Sequence, residues 1–271
     1  MVIGFLGKGG SGKSSIATLV NNHLISEGNK VLAVDADHNM DLAYNIVGAE
    51  SESMIQFGAS YDELQELSGY TGEAYDSYVI KQKEPVYSFS KPDSYSEKYA
   101  SKLGDNQYLM IAGEHTENIL HGQRCSHTLS TPMKVYLPLL DLNEDEYVVV
   151  DYLAGSDGVA TGVVTGMDFV VVVVEDTPHS VKAAKQITDL LEFFRVPYGH
   201  VINKAHGEYR FITDHVKDNL VFTMPFTDVY SEEFKHDMSP LLELVKSNLS
   251  EESKLERTKY KFKNNLNYGE R

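Results

Sequence analysis

The chain has 271 residues, of which 42% are hydrophobic, so it is long enough to bury a substantial core. Its 40 acidic residues against 24 basic ones give a formal charge of −16, which argues against non-specific binding to nucleic acid or an anionic membrane. A single cysteine excludes an intramolecular disulfide framework. Because no apolar run reaches about 18 residues and no signal pattern follows Met1, we expect a cytoplasmic protein.

Apolar runs that predict strands alternate along the chain with amphipathic runs that predict helices. The strand candidates are Val2–Leu6, Val31–Val34, Tyr108–Ile111, Tyr147–Val150, Phe169–Val174, His200–Ile202 and Leu220–Thr223. The clearest helices are Ser14–Glu27 and Val181–Phe194. This alternation is typical of an α/β fold with a mostly parallel central sheet and helices on both faces, a three-layer αβα arrangement. Five successive valines make Phe169–Val174 the candidate for a central strand.

The stretch from about residue 50 to residue 107 interrupts this alternation. It is polar and carries seven tyrosines between Tyr61 and Tyr99, so we interpret it as an insertion between strands. It is either a cap that binds a partner or substrate, or a solvated helical excursion. The basic tail after Ser250 lacks the apolar face of a membrane-binding amphipathic helix. We expect one domain over residues 1–271, with this polar insertion.

A glycine-rich loop directly follows the first strand candidate. Its residues are Gly7, Lys8, Gly9, Gly10, Ser11, Gly12, Lys13 and Ser14, with Ser15 next in the chain. The order G-x-x-x-x-G-K-[ST] is that of a P-loop, whose backbone N–H groups cradle phosphate oxygens at a helix N-terminus. In such a loop Lys13 reaches the β- and γ-phosphates and the Ser14 hydroxyl binds Mg²⁺. The loop therefore predicts a P-loop NTPase.

Lys8 places a second lysine inside this loop, and with it the chain resembles the deviant P-loop ATPases. That family includes MinD, ParA, ArsA, the nitrogenase iron protein and the CooC-type nickel-insertion ATPases. In the family the extra lysine crosses a dimer interface to the partner's nucleotide. The resemblance therefore implies a homodimer formed on ATP binding, in which Lys8 stabilises charge in trans as an arginine finger does elsewhere. The alternative is an exposed lysine on a loop.

Asp35 and Asp37 follow the second strand candidate, at the edge where open α/β sheets bind ligands. By the resemblance, Asp37 orients or deprotonates the attacking water, and Asp35 supports either the metal shell or the loop. Helix capping is the alternative for such carboxylates. The family has proline after the second aspartate, whereas this chain has His38, which leaves the conformation of the loop open.

The later strand candidates end in further residues that match the family. By the resemblance, Asp151 holds the water shell of Mg²⁺ and the amide of Gly155 approaches the γ-phosphate. Asn203 recognises adenine, although asparagine is also a common turn residue at such a place, and Pro225 belongs to a loop that packs on the other side of the base. These residues favour ATP, and the residues after Asn203 lack the aspartate of the guanine-reading N-K-x-D motif.

The segment around Cys125 resembles the CooC branch, in which a C-x-C pair binds a metal across the dimer axis. Here His127 replaces the second cysteine. Cys125 and His127 from each subunit would supply two thiolates and two imidazoles, a set that suits Zn²⁺ or Ni²⁺. A lone buried cysteine beside a surface histidine is the alternative. A dimer has only two cysteines, so it cannot hold a cluster on four thiolates as the nitrogenase iron protein does.

Three functional hypotheses follow from the resemblance. The one we favour is an ATPase that acts as a CooC-like accessory factor in metal delivery or metalloenzyme maturation, with a protein client. The second is a ParA/MinD-like positioning switch that docks on a partner. The acidic balance and the polar tail weigh against nucleic acid or a membrane as that partner. The third is an ATP-dependent ligase or synthase, with the insertion supplying a substrate pocket.

Overall fold

The computed structural model describes residues 1–58, 60, 63, 74–91, 93–114, 129–226 and 237–264. Its strands are β1 (Val2–Gly7), β2 (Lys30–Asp35), β3 (Ser101–Lys102), β4 (Gln107–Ile111), β5 (Glu146–Asp151), β6 (Phe169–Val174), β7 (Tyr198–Ala205) and β8 (Leu220–Pro225). Within the described residues they form one eight-stranded sheet in the order β3-β4-β2-β5-β1-β6-β7-β8. Neighbouring strands are parallel, except that β3 runs antiparallel to β4. The mostly parallel sheet predicted from the sequence is confirmed.

The α-helices formed by the described residues lie between these strands or, for the last two, after β8. They are α1 (Lys13–Ser26), α2 (Asp41–Val47), α3 (Tyr75–Lys81), α4 (Ser94–Tyr99), α5 (Met133–Tyr136), α6 (Ser156–Ala160), α7 (Pro178–Phe193), α8 (Asp214–Asp218), α9 (Ser239–Ser247) and α10 (Lys254–Lys263). Short 3-10 helices cover Gly48–Ser53, Leu137–Leu139 and Val163–Gly166. Among the described residues, no helix combines the length and hydrophobicity needed to cross a bilayer.

Both predicted long helices are confirmed, and α7 begins three residues earlier than its apolar pattern suggested. The earlier start has a local cause. The Thr177 hydroxyl accepts the backbone N–H of Ser180 at 3.2 Å, and Pro178 occupies the first turn, where its missing N–H costs nothing.

Alternate side chains of the sheet enter two separate cores, one on each face. On β1, for example, Ile3 and Phe5 pack with α1 and α9, whereas Val2 and Leu6 pack in the opposite core with α7. All six residues of β6 are buried, and this strand lies between β1 and β7. The three-layer αβα arrangement and the central position of Phe169–Val174 are therefore confirmed.

The described part of the insertion is packed into the fold, and a role of the insertion as a cap that binds a partner or substrate stays a prediction. Tyr87, Tyr95 and Tyr99 are buried in the core beside Tyr136, with ring centroids of neighbouring pairs 4.7–6.2 Å apart. The Tyr136 hydroxyl forms a 2.9 Å hydrogen bond with Ser96 and the Tyr95 hydroxyl a 3.0 Å hydrogen bond with Ser60, so these two polar groups are satisfied inside the protein. The insertion also contributes β3 at the edge of the sheet. Its described part is a component of the fold rather than a solvated excursion.

The functional residues predicted from the sequence collect at one edge of the sheet. In the register of the strands, Asp35 pairs with Asp151 and Asp151 pairs with Phe5, so β1, β2 and β5 end together. On the other side of β6, Ala205 pairs with Pro225 at the ends of β7 and β8. Because parallel strands bring their carboxyl ends to the same edge, the loops that follow them can form one site.

Candidate nucleotide-binding site

The loop between β1 and α1 requires glycine at two positions. A Cβ on Gly7 would lie 2.4 Å from the carbonyl oxygen of Val173, and a Cβ on Gly12 would lie 2.2 Å from Asn203 Nδ2. Gly12 also has a φ of +93°, and it precedes α1 without a capping side chain in the described structure. The first-turn N–H groups of α1 therefore lack a side-chain acceptor. A helix N-terminus of this kind is a favourable site for a phosphate anion.

Ser14 lies directly against Asp151. Its hydroxyl donates to Asp151 Oδ2 at 2.5 Å, while the buried Oδ1 has no hydrogen-bond partner among the described residues. Burial raises the pKa of Asp151 to about 7, although the Lys13 ammonium and the Ser14 hydroxyl oppose the shift. An unpartnered buried carboxylate oxygen next to a hydroxyl is chemically suited to Mg²⁺, which prefers oxygen ligands. The side chains of Ser14 and Asp151 therefore fit the metal predicted for this site.

Asp35 organises the loop that follows β2. Its carboxylate accepts the backbone N–H of Asp37 at 3.2 Å and that of Ala43 at 2.9 Å, and its side chain is fully buried. Burial, followed by the nearby charge of Asp151, raises the pKa of Asp35 well above its usual value. The resemblance implies that Asp35 supports either the metal shell or the loop, and these hydrogen bonds favour support of the loop. Participation of Asp35 in a metal shell stays a prediction.

Asp37 belongs to the same turn and is buried. Its Oδ1 accepts the backbone N–H of Asn39 at 3.2 Å and lies 3.3 Å from His38 Nδ1. The chain then takes a left-handed conformation at Met40, with a φ of +54°, before α2 begins. His38, where the family has proline, is thus accommodated in a turn whose N–H groups are held by the two carboxylates. Activation of water by Asp37 stays a prediction.

Two residues predicted to contact phosphate are bonded to the P-loop itself. The Gly155 N–H donates to the Gly7 carbonyl at 3.0 Å, so an approach to a γ-phosphate requires release of this bond. Lys8 is half-buried, and its ammonium donates to the carbonyl of the adjacent Gly9 at 3.3 Å. Gly9 and Gly10 are exposed, whereas Ser11 is fully buried. The action of Lys8 across a dimer interface is not tested by these contacts.

Two side chains near the end of β7 form hydrogen bonds with backbone carbonyls of the P-loop. Asn203 Nδ2 donates to the Ser11 carbonyl at 2.8 Å, and Lys204 Nζ donates to the Gly10 carbonyl at 2.8 Å. Lys204 also pairs with Glu175 Oε1 at 2.5 Å. Sequence reasoning missed Lys204 and Glu175, and the only signal was a lysine directly after the strand-end asparagine. Recognition of adenine by Asn203 stays a prediction, as does packing of the base by the exposed Pro225 at the end of β8.

The predicted Zn²⁺ or Ni²⁺ ligands Cys125 and His127 lie outside the described residues. Within the described ranges, no group of three or more His, Cys, Asp or Glu side chains is arranged to hold a metal ion. The hypothesis of a metal across the dimer axis therefore depends on the sequence alone.

Similar proteins extend over most of the chain. An uncharacterized ATP-binding protein from Methanocaldococcus jannaschii is 26% identical over 229 residues, which are 83% of this chain and 88% of that protein. The carbon monoxide dehydrogenase accessory protein CooC from Rhodospirillum rubrum is also 26% identical, over 233 residues that cover 83% of this chain and 84% of CooC.

Solved structures share the fold at lower identity. The cell division ATPase MinD from Pyrococcus furiosus aligns with a TM-score of 0.55 and 16% identity, covering 98% of both chains. A putative plasmid partition protein from Borrelia burgdorferi, bound to AMPPNP, aligns with a TM-score of 0.53 and 16% identity over 91% of this chain and 98% of that one. Residues 3–241 match the CbiA family, described as the CobQ/CobB/MinD/ParA nucleotide binding domain. Together with a P-loop at the end of β1, this match shows that the chain belongs to the MinD/ParA-type family of nucleotide-binding P-loop proteins.

Proposed function

We propose that this protein is an ATP-hydrolysing switch whose nucleotide lies between the P-loop and the ends of β2 and β5. The observation that carries the proposal is the hydrogen bond between Ser14 and the buried carboxylate of Asp151, whose second oxygen has no partner among the described residues. This pair lies next to the N-terminus of α1, which has no capping side chain in the described structure. Ser14 and Asp151 would hold Mg²⁺, which neutralises charge on the phosphates when it is bound. Lys13 is buried at the start of α1, where its ammonium can reach the same phosphates.

The hydrolytic step needs a group that orients or accepts a proton from water, and we assign it to Asp37. Its carboxylate lies in the turn that follows β2, and the pairing of Asp35 with Asp151 at the ends of β2 and β5 supports the assignment of Asp37 to the same site. The turn held by Asp35 fixes the backbone on which Asp37 is carried. Lys8 at the exposed side of the loop would complete the charge stabilisation from a second copy of the chain.

We further propose that the switch serves metal delivery or the maturation of a metalloenzyme. The similarity to CooC over 84% of the CooC chain supports this branch, and CooC is a carbon monoxide dehydrogenase accessory protein. The C-x-H pair of Cys125 and His127 would hold Zn²⁺ or Ni²⁺ between two subunits. The client is then a metalloenzyme or another protein, and the proposed assembly is a homodimer on ATP.

Metal analysis of the purified protein tests this part of the proposal. We expect about one Zn²⁺ or Ni²⁺ per dimer, as a four-ligand site requires, and loss of that metal in Cys125→Ala and His127→Ala. His206→Ala is the matched control, because His206 is an exposed histidine outside the pair. Equal metal binding by Cys125→Ala would contradict metal delivery through this pair.

A metal-free protein that still forms a dimer with ATP would favour a partner-docking switch of the ParA/MinD kind. Sedimentation with liposomes or DNA only in the presence of ATP would identify that class of partner. Phosphate release that depends on a small organic acid or amine would instead indicate a ligase or synthase.

A further inference from the structure

The contact between Lys204 and the P-loop has no role in the predictions made from the sequence. The Lys204 ammonium reaches the Gly10 carbonyl at 2.8 Å, and Glu175 Oε1 accepts from the same ammonium at 2.5 Å. Glu175 follows β6 directly and is itself anchored, because its backbone N–H donates to the Ser180 hydroxyl at 2.9 Å. The first residue after β6 and a residue near the end of β7 thus meet at the phosphate-binding loop.

The backbone of Lys204 is in an unfavourable conformation. Its φ is +55°, in the left-handed region that side chains other than glycine seldom adopt. Such strain persists only where surrounding contacts impose it, and it occurs most often at functional sites. Lys204 lies at an irregularity of the sheet, where the register between β7 and β8 shifts between Ile202 and Ala205, and from there its ammonium contacts the loop and Glu175.

The geometry of the trans peptide explains what this contact does. A planar trans peptide directs its C=O and the following N–H to opposite sides. Lys204 binds the Gly10 carbonyl and Asn203 binds the Ser11 carbonyl. These two hydrogen bonds fix the orientation of two successive peptide planes of the P-loop. The Ser11 N–H is directed to the Lys8 carbonyl at 3.0 Å, which closes the turn that carries Lys8.

We propose that Lys204, held by Glu175, is a positioning residue that keeps the P-loop in its phosphate-binding shape. It acts through the backbone of the loop, so its effect should fall on nucleotides that carry a β-phosphate. The inference rests on the nucleotide binding in the proposed function and is independent of metal delivery.

Titration with ADP in the presence of Mg²⁺ tests the role of Lys204. We expect Lys204→Met to weaken ADP binding about tenfold, the effect of losing one charge-assisted hydrogen bond, with little change in the Tm of the nucleotide-free protein. Lys204→Arg should restore most of the affinity. Lys185→Met is the control, because it removes the exposed ion pair with Asp189 in α7 and should bind ADP as the wild type does.

A charge swap distinguishes the effect of the hydrogen bond to Gly10 from the effect of the ion pair with Glu175. The double variant Lys204→Glu with Glu175→Lys keeps two opposite charges but removes the donor to Gly10, so its affinity for ADP should stay low. If Lys204→Met binds ADP as tightly as the wild type, or if the double variant regains wild-type affinity, the role proposed for Lys204 is overturned. The proposed function is not affected by either result. Failure of the wild-type protein to bind ADP would overturn the proposed function and this inference together.

Discussion

Asp37 and Asp151 stand at neighbouring strand ends, but their surroundings prepare them for different tasks. Asp151 is fully buried against Ser14, with one oxygen unpartnered in the described structure, which suits the predicted role of holding the water shell of Mg²⁺. Asp37 lies in a turn and is bonded through one oxygen to the backbone N–H of Asn39. A carboxylate on a loop, next to the proposed Mg²⁺ site, is suited to the proposed role of orienting the attacking water.

We expect Asp37→Ala to bind ATP with little change while hydrolysis falls by about 10²-fold to 10⁴-fold, the usual contribution of a general base. Lys13→Ala should lose nucleotide binding itself, because it removes the charge that faces the phosphates. Phosphate release and ATP titration measure the two effects. Asp41→Ala is the matched control, since Asp41 is exposed in the first turn of α2. Normal turnover by Asp37→Ala would contradict the assignment.

His200 gives the fold a dependence on pH. Its side chain is fully buried in β7, and neither ring nitrogen has a hydrogen-bond partner among the described residues. Burial, and then the nearby His215, lowers the pKa of His200 from 6.5 to about 4. The unfolded chain therefore takes up this proton first as the pH falls. The contribution of His200 to the free energy of unfolding is therefore complete above pH 6.5. As the pH falls from 6.5 to about 4, the free energy of unfolding decreases by at most about 1.4 kcal/mol per pH unit.

Urea denaturation at several pH values checks this expectation in His200→Leu. The variant should lose less free energy of unfolding than the wild type between pH 6.5 and 4. Asp35, whose pKa burial raises, contributes a slope of opposite sign, but it does so in both proteins and cancels in the comparison. His206→Gln, at an exposed position, serves as the control. Parallel profiles for wild type and His200→Leu would contradict the account.

At the level of elements, the basic tail is attached to the fold by α10. Arg257 is 1% exposed and donates to the backbone carbonyls of Thr165, Met167 and Arg195 at 2.9–3.3 Å. We expect Arg257→Ala to lower the free energy of unfolding by about 2–5 kcal/mol, because buried carbonyls lose their donor. Chemical denaturation measures the loss, and faster proteolysis of the tail would locate it.

Lys263→Ala is the matched control for this prediction, since it removes an exposed cation from the same helix. Its stability should stay within about 0.5 kcal/mol of the wild type, as is usual for surface substitutions. Equal stability of Arg257→Ala and Lys263→Ala would show that α10 does not depend on the Arg257 contacts.

At the scale of the whole molecule, the sheet could be predicted because its central strands β1, β5 and β6 are buried on both faces. Runs such as Phe169–Val174 are continuous in apolar residues, and all seven strand candidates lie within observed strands. The P-loop and Asp151 were found for a related reason. Their chemistry depends on short spacings immediately after such strands, and the strand register then brings them together.

The features that were missed depend on contacts between distant parts of the chain. The two-residue strand β3 exists only through its pairing with β4. The insertion was interpreted as polar, because the sequence does not show that the hydroxyl of a tyrosine such as Tyr95 is bound by Ser60 inside the protein. Lys204 carries no motif of its own, and its role depends on Glu175, which is 29 residues away. Local patterns cannot encode such pairings.

The proposed function requires that ATP joins two copies of this chain through Lys8 of the P-loop. Its most direct test is the mass of the protein in solution with and without Mg-ATP, measured for the wild type and for Lys8→Ala. We expect the wild type to form a dimer only with Mg-ATP, and Lys8→Ala to bind ATP but remain a monomer. A wild-type protein that binds ATP yet keeps the same mass, or a Lys8→Ala variant that dimerises equally, would contradict the claim.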